Sequence, residues 1–273
     1  MHSYARPHTL DQALSLLSRG GHRILAGGTD LYPGAETQLA GNIVDITALP
    51  GLDGISRDHG LRIGACTTWT GLAEADLPPA VRALQQAALQ VGGRQIQNAG
   101  TIGGNLCNAS PAADGVPPLL VMDAEVELAS VSGNRRVPLA GFLLGPRQTV
   151  RQEAEVLTAI HIPETALSGR SAFVKLGARA YLVISIAMVA ARVVMEGDRI
   201  AALAVSVGAC SGAALRMNGL ECGLIGATRG DLADIIRNTP LPLSPIDDMR
   251  ATAAYRHHAA AELIHRAVAE AMG

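Results

Sequence analysis

The sequence predicts an α+β protein built from about two or three packed units. Its 273 residues are 48% hydrophobic and 17% charged, with 30 Gly and 14 Pro, so the chain can bury a sizeable core, and disordered and fibrous classes are excluded. Helix-like and strand-like patterns alternate up to about residue 170. Beyond that point the pattern changes to long β-rich runs followed by one Ala-rich helix.

The first unit is predicted from a capped helix and two strands. Thr9 can cap the helix, Gln12 stands at the capping-box position, and Gly20-Gly21 ends the apolar pattern. Strands are predicted at His22–Ala26 and Asn42–Ile46. Together these elements make a small β-α-β-like unit.

A second unit is predicted to follow the seam at Gly51–Gly60. It begins with a strand at Leu61–Ala65 and continues into a helix over Pro79–Val91, where apolar residues recur at helical spacing. Arg94–Pro118 shows little periodicity and is predicted to be a long connection with a functional role. Apolar alternation resumes over Leu119–Ser130.

The third unit is predicted from two strands and a long helix. The runs Val183–Val194 and Ile200–Gly208 flank Glu196-Gly197-Asp198, a hairpin signal, and Asp247–Met272 is predicted to be helical. The predicted domains are therefore residues 1–55, 56–170 and 171–273.

Composition excludes several classes of function. The chain has 22 Lys and Arg against 24 Asp and Glu, a formal net charge of −2, and only 3% aromatic residues, so a nucleic-acid partner is not expected. Two uncharged and largely apolar stretches, Ala180–Ala191 and Ile200–Leu215, are shorter than the roughly 18 apolar residues of a membrane span. The first residues have no apolar signal-peptide core, and a cytoplasmic protein is expected.

No metal site or disulfide framework is predicted. The four cysteines are Cys66, Cys107, Cys210 and Cys222. They form no C-x-x-C pair and are interpreted as reduced thiols. The His257-His258 pair with His265 is interpreted as solvated on an exposed helix rather than as a ligand set.

The chemistry-bearing motifs that are present are two glycine-rich loops. The sequence has no G-x-G-x-x-G after a strand and no P-loop, H-E-x-x-H or G-x-S-x-G motif. Instead, Leu25–Leu31 (LAGGTDL) leaves a predicted strand through two glycines, and Ala99–Asn105 (AGTIGGN) repeats the same ingredients. Successive backbone N–H groups of this kind can hold an anion, and two such loops facing each other would hold a diphosphate. Taken singly, either loop is more simply an ordinary tight turn.

Together the loops resemble a specific family. Leu25–Leu31 is similar to the A-G-G-T-[DN]-L loop of the molybdenum hydroxylase flavoproteins, the FAD-binding medium subunits of xanthine dehydrogenase-like and carbon monoxide dehydrogenase-like enzymes. Gln95–Asn105 resembles that family's Q-I-R-N-x-G-T-I-G-G-N. The other segments that fit are Ala109–Asp114, Glu155–Leu157, Ile162-Pro163, Phe173–Lys175 and Asp247–Arg256. The resemblance runs nearly end to end.

The resemblance implies a two-part FAD-binding domain of the vanillyl-alcohol-oxidase (PCMH) type, followed by a smaller α+β domain of the carbon monoxide dehydrogenase flavoprotein C-terminal type. The implied FAD contacts are Ala26, Gly27, Gly28, Thr29, Asp30, Thr101, Gly103, Gly104, Asn105, Asp114, Leu157 and Lys175. The loop residues would contact the diphosphate and nearby groups. Asp114 would bind a hydroxyl of the cofactor, Leu157 would pack on it, and Lys175 would approach the polar pyrimidine edge of the flavin.

Lys175 is the only lysine in the chain. A cation beside the pyrimidine edge would favour the reduced flavin, which supports a functional interpretation over that of a surface lysine at a domain edge. No catalytic acid, base or nucleophile is predicted, because the cofactor would carry the chemistry.

Three positions leave questions open. Gln97 stands where relatives often have Arg beside the diphosphate loop, so one charge-assisted contact is missing. Leu182 stands about where many relatives have an acidic residue, which puts NAD as the electron acceptor in doubt. Trp69, the sole tryptophan, is either a core residue or a subunit contact.

The implied function is an electron-transferring FAD subunit. Its partners would be a molybdenum-cofactor large subunit and a [2Fe-2S] small subunit, in an (αβγ)2 assembly. The alternatives are a self-contained FAD oxidoreductase and a flavin-free accessory protein that keeps the fold. The glycine loops argue against the accessory protein, because a chain without FAD would have no physical reason to keep them.

Overall fold

The N-terminal unit is a small parallel sheet with one helix. The computed structural model describes residues 3–35, 40–180 and 182–273. The elements of this unit are β1 (Tyr4–Ala5), α1 (Leu10–Leu17), β2 (His22–Leu25) and β3 (Asn42–Asp45), with the strands in the order β1-β3-β2. The predicted cap is confirmed, since the Thr9 hydroxyl accepts from the Gln12 N–H at 3.3 Å. The predicted strands at His22–Ala26 and Asn42–Ile46 each extend one residue beyond the observed ends of β2 and β3.

The second unit is a five-stranded antiparallel sheet covered by helices. Its elements are β4 (Ile55–Arg57), β5 (Gly60–Gly64), α2 (Trp69–Glu74), α3 (Arg82–Gln90), α4 (Arg94–Ala99), α5 (Ile102–Asn108), α6 (Val116–Val121), β6 (Glu125–Ser130), β7 (Gly133–Pro138), α7 (Leu139–Phe142), β8 (Leu143–Gly145), β9 (Gln148–Thr149) and β10 (Val156–Pro163). The sheet order is β4-β5-β10-β6-β7, and β8 pairs with β9 as a separate hairpin. A 3-10 turn at Pro79–Val81 precedes α3.

The prediction of a long irregular connection over Arg94–Pro118 is wrong. This segment contains α4, α5 and the start of α6, which are only six or seven residues long. Helices of this length span fewer than two turns, so they show no repeated apolar spacing. The Gly100-Thr101 break between α4 and α5 also hides the pattern, since Thr101 caps α5.

The C-terminal unit is a four-stranded antiparallel sheet covered by a long helix. Its elements are β11 (Arg170–Leu176), β12 (Ala187–Glu196), β13 (Arg199–Gly208), β14 (Leu215–Arg216), α8 (Asn218–Leu224), α9 (Leu232–Asn238) and α10 (Ala253–Met272). The predicted hairpin is confirmed, because Glu196 pairs with Arg199 across the turn. The predicted starts at Val183 and Asp247 are too early, since β12 begins at Ala187 and Thr252 caps α10.

The central strand β12 explains how the units pack. Met188 and Ala190 belong to the core of the second unit, whereas Val189 and Ala191 belong to a core shared with α10. Because successive strand residues point to opposite faces, β12 is buried on both sides and reads as a continuous apolar run. The domain bounds predicted from the sequence stay a prediction.

No helix in the three described ranges is long and apolar enough to cross a membrane.

Candidate functional site

Both glycine loops line one cavity of about 630 Å³. Ten of the predicted site residues lie in its wall: Ala26, Gly27, Gly28, Thr29, Asp30, Thr101, Gly103, Gly104, Asn105 and Leu157. The structure thus brings together two segments that are about seventy residues apart in the chain. The remaining two, Asp114 and Lys175, lie outside this wall and pair with each other.

The first loop offers free backbone donors. The chain leaves β2 and turns at Gly28, whose φ of +72° is a left-handed conformation that suits glycine. The Tyr32 N–H donates to the Gly28 carbonyl at 2.9 Å and closes the turn. Within the described residues, the N–H groups of Gly27 to Asp30 donate to no protein acceptor. Such a row of unpaired donors is suited to an anion.

Gly27 is the point at which the two loops touch. A Cβ added there would lie 2.0 Å from the Ala99 carbonyl oxygen and 2.9 Å from the Gly100 Cα. Only a residue without a side chain allows the backbones to approach this closely. Gly27 therefore holds the first loop against the start of the second.

The second loop is fastened to the protein through its own N–H groups. Ile102 donates to the Thr67 carbonyl at 3.0 Å, and Gly103 donates to the Ala65 carbonyl at 2.9 Å. Gly104 donates to the Thr101 hydroxyl at 3.1 Å. The expectation of a second row of free donors is therefore wrong, because capping and packing of α5 use them.

Gly103 and Gly104 serve different purposes in α5. A Cβ at Gly103 would lie 2.7 Å from the Ala65 Cβ, so this glycine lets the helix pack closely on the end of β5. A Cβ at Gly104 would meet only the Thr101 hydroxyl, at 2.9 Å. Gly104 has a helical rather than a positive φ, and its open side contributes to the cavity wall.

Asn105 lies in the cavity wall, and its side chain has an unsatisfied acceptor buried near Gly115. Its Oδ1 is buried and has no hydrogen-bond partner among the described residues. Buried polar atoms normally have a partner, and a carbonyl oxygen requires an N–H or O–H donor. The donors that the cavity offers to phosphate oxygens are therefore those of the first loop, because the Asn105 Oδ1 is not open to the cavity.

Three arginines in the cavity wall, Arg23, Arg147 and Arg151, were not predicted from the sequence. Arg147 lies in the β8–β9 turn with φ of +61°, and its guanidinium donates to the Asn108 Oδ1. Arg151 donates from Nη1 to the carbonyls of residues 152, 153 and 155. No motif marks either residue, and their place depends on where a hairpin docks.

Trp69 is a core residue that also lines the cavity. Trp69 is 2% exposed, and its backbone N–H donates to the Gly100 carbonyl at 3.2 Å. The indole lies between Gly100 and Gly115, since a Cβ at either glycine would meet it within 3.3 Å. The core interpretation is therefore the correct one, and this ring supports the second loop from behind.

Asp114 and Lys175 form a buried ion pair. The Lys175 Nζ lies 2.9 Å from the Asp114 Oδ2, and the two side chains are 5% and 10% exposed. Ser185 donates to the other carboxylate oxygen at 3.2 Å, and Lys175 also donates to the Gln90 carbonyl at 3.3 Å. Burial raises the pKa of Asp114, while Lys175 and Ser185 oppose that rise. The predicted roles of both residues toward the cofactor stay predictions.

The two departures from the family pattern have different structural settings. Gln97 is 8% exposed and its amide donates to the Leu89 carbonyl at 2.9 Å, so it ties α4 to α3. Leu182 is 57% exposed, has a φ of +53°, and lies against Gly93. Neither residue belongs to the cavity wall.

Comparison with known proteins agrees with this architecture. Residues 1–165 match the FAD binding domain in molybdopterin dehydrogenase, and residues 172–271 match the CO dehydrogenase flavoprotein C-terminal domain. The chain is 40% identical over 167 residues to the xanthine dehydrogenase FAD-binding subunit of Escherichia coli O157:H7, which covers 59% of this chain and 57% of the relative.

Two further similarities extend over nearly the whole chain. The glyceraldehyde dehydrogenase medium chain of Sulfolobus acidocaldarius is 30% identical over 275 residues, covering 98% of this chain and 97% of the relative. A chain of reconstituted CO dehydrogenase from Oligotropha carboxidovorans superposes with a TM-score of 0.92 at 28% identity, covering 100% of this chain and 98% of that one.

The fold and the cavity define a protein with backbone donors suited to a phosphate-bearing cofactor. The chain belongs to the molybdenum hydroxylase flavoprotein family, the FAD-binding medium subunits of xanthine dehydrogenase-type and carbon monoxide dehydrogenase-type oxidoreductases. Its cofactor is FAD. The residues present fit that group, since the free N–H donors of the first loop suit the diphosphate oxygens of FAD.

Proposed function

We propose that this chain is the electron-transferring subunit of its complex. It takes electrons from the [2Fe-2S] clusters of a small subunit and passes them to an external acceptor, while a molybdenum-cofactor large subunit oxidises the substrate. The proposed assembly is (αβγ)2, and its proposed location is the cytoplasm. The relatives named as medium chains of dehydrogenases support a role as one of several subunits.

The observation that carries this proposal is the contact between the two glycine loops at Gly27 and Ala99. This contact places the free N–H donors of the first loop beside helix α5, which the second loop caps, so the two loops face the same cavity. FAD, when bound, supplies the redox chemistry. The protein supplies binding and orientation through residues 26–30 and 101–105, with Leu157 as an apolar contact.

Lys175 is proposed to tune the cofactor electrostatically. Its buried cation would lie near the pyrimidine edge of the flavin and raise the reduction potential. Replacing Lys175 by Met removes the charge and keeps the apolar stem. A loss of about 1–2 kcal/mol of stabilisation would lower the two-electron potential by roughly 20–45 mV.

The Asp114 carboxylate complicates this test, because it lies 2.9 Å from the Lys175 Nζ and would be left unpaired. The double variant Asp114→Asn/Lys175→Met is therefore the control. FAD content should change little in either variant, because the glycine loops hold the diphosphate. If both variants keep the wild-type reduction potential at full FAD occupancy, Lys175 does not tune the cofactor.

The function is tested with the purified full-length chain alone. We expect one FAD per chain, with absorption bands at about 370 and 450 nm, and no reduction of that FAD by small organic substrates. Rapid bleaching by a candidate substrate without any other subunit would instead establish a self-contained oxidoreductase. Copurification of a tagged chain from its native host should recover the molybdenum and iron–sulfur subunits.

A further inference from the structure

Arg256, on helix α10, joins three segments of the chain close to the buried ion pair. The residue is 3% exposed. Its Nη1 donates to the Ile186 carbonyl at 2.6 Å and to the Ala209 carbonyl at 3.2 Å. Its Nη2 donates to the Asp248 Oδ1 at 2.7 Å. One buried guanidinium therefore bonds α10 to the residue before β12, to the residue after β13 and to the segment that precedes α10 itself.

The contact with Ile186 leads directly to the ion pair. The Ile186 N–H donates at 2.8 Å to the carbonyl of Leu176, the residue that follows Lys175 on β11. The preceding residue, Ser185, is 2% exposed, and its hydroxyl donates to the Asp114 Oδ1 at 3.2 Å. The guanidinium thus holds a backbone segment that is bonded to both members of the pair or to their immediate neighbours.

The contact with Ala209 leads to the same carboxylate by a second path. The Ala209 N–H donates at 3.0 Å to the carbonyl of Pro111, three residues before Asp114. Ala209 has a φ of +62°, a left-handed conformation that residues other than glycine seldom adopt. The guanidinium stabilises this turn by donating to its carbonyl. Both paths therefore fix the position of the Asp114 carboxylate.

Burial of this guanidinium is a poor source of stability. The Arg256 Nε is buried and has no hydrogen-bond partner among the described residues. Desolvation of a charged group is costly, and replacing buried ionic groups by well-packed apolar side chains is often neutral or stabilising. An apolar side chain could not, however, replace the directed hydrogen bonds that the planar guanidinium makes to two carbonyls. What Arg256 contributes is therefore the position of its neighbours.

We propose that Arg256 is a positioning residue for the charge beside the flavin. By holding residues 186 and 209, it keeps the Asp114 carboxylate in place, and the carboxylate in turn keeps the Lys175 ammonium in place. The inference rests on the proposed function, because it concerns the cation that we propose to tune the cofactor. Every described residue of the cavity wall precedes residue 158, so this is a way in which the C-terminal unit acts on the cofactor site.

The first test observes Lys175 directly, because it is the only lysine in the chain. A full-length chain that carries isotope-labelled lysine gives a single side-chain ammonium signal by NMR. The exchange of its protons with water reports how firmly the ammonium is bound, and the measurement uses the FAD-free chain. We expect this exchange to be about 10-fold faster in Arg256→Met and in Ser185→Ala than in the wild type. Ser185→Ala removes one hydroxyl only, so it tests the same path if Arg256→Met does not fold.

The matched control is Arg250→Gln. Arg250 also pairs with Asp248, since its Nη1 donates to the Asp248 Oδ2 at 2.7 Å. Within the described part of the chain, the Arg250 side chain bonds to neither Ile186 nor Ala209. The lysine signal of this variant should therefore keep the wild-type exchange rate.

The second test measures the reduction potential of the FAD-loaded chain, which a merely structural role would not change. Arg256→Met should lower the two-electron potential in the same direction as Lys175→Met, and by less. In the double variant Asp114→Asn/Lys175→Met, the added substitution Arg256→Met should cause no further shift. The effect of the guanidinium on the cofactor passes through that ion pair, so the two changes are not additive.

Three results would overturn the inference. The first is wild-type exchange of the lysine ammonium in both Arg256→Met and Ser185→Ala. The second is equally fast exchange in Arg250→Gln, which would indicate general loosening of the segment. The third is a further shift in potential when Arg256→Met is added to the variant without the ion pair. Failure of the chain to bind FAD would instead refute the proposed function, whereas the exchange measurement still decides whether Arg256 positions Lys175.

Discussion

The contact between the glycine loops can be tested with a single methyl group. In Gly27→Ala the new Cβ would lie 2.0 Å from the Ala99 carbonyl oxygen, whereas ordinary contact begins at 3.4 Å. The loops must therefore separate by about 1.4 Å. The obstacle is backbone on both sides, so no side-chain rotation can relieve the clash.

Two losses follow from that separation. Overpacking of this kind costs about 1–3 kcal/mol of stability. The N–H donors of the first loop would also move away from the diphosphate that we propose they bind. Losing one charge-assisted hydrogen bond costs about 1.5–3 kcal/mol, or roughly 10-fold to 150-fold in the dissociation constant of FAD.

The assay compares Gly27→Ala with Gly219→Ala. A Cβ at Gly219, in helix α8, has no neighbour within 4 Å, so this control should gain up to about 1 kcal/mol. FAD content is measured after gel filtration, and stability is measured by urea unfolding. Full FAD retention together with unchanged stability in Gly27→Ala would refute the close approach of the loops.

Three further predictions follow from the site and its surroundings. Gly104→Val should abolish FAD retention while the fold survives, because the branched side chain enters the cavity and displaces the Thr101 cap. Stoichiometric FAD after gel filtration would show that this loop does not hold the diphosphate. Lys175→Met should lower the free energy of unfolding by about 3 kcal/mol, and adding Asp114→Asn should restore most of it, whereas equal losses in both would contradict the ion pair. Contacts with Arg135 lower the pKa of Glu155, so this carboxylate stabilises the fold above its unfolded pKa of about 4.3, and that stability is lost as the pH falls through the lower folded pKa. Glu155→Gln should therefore cost about 1–2 kcal/mol of stability at pH 7 and weaken the dependence of urea unfolding on acid pH. An unchanged dependence on pH would contradict this prediction.

Several features of the molecule follow from local sequence alone. The Thr9 cap and the Glu196-Gly197-Asp198 hairpin were predicted correctly, because each depends on residues within one turn. The glycine loops were also recognisable, since their composition is adapted to close backbone approach. Ten of the twelve predicted site residues share one cavity, nine from these loops and Leu157 from β10.

Short helices and buried strands were harder to predict. Helices α4 to α6 are too short to display a helical period, and β12 is apolar on both faces. In both cases the element is stabilised by tertiary packing rather than by its own pattern. Only the assembled structure shows where such elements begin and end.

What the sequence by itself determined was the pair of backbone-lined loops, and through them the cofactor class. The tertiary structure decided which backbone N–H groups of the two loops have protein acceptors. Those of Gly27 to Asp30 stay free, while those of α5 are used in capping and packing. It also placed Arg147 in the wall and paired Lys175 with Asp114. These outcomes depend on which distant segments meet, and no local spacing of residues encodes that meeting.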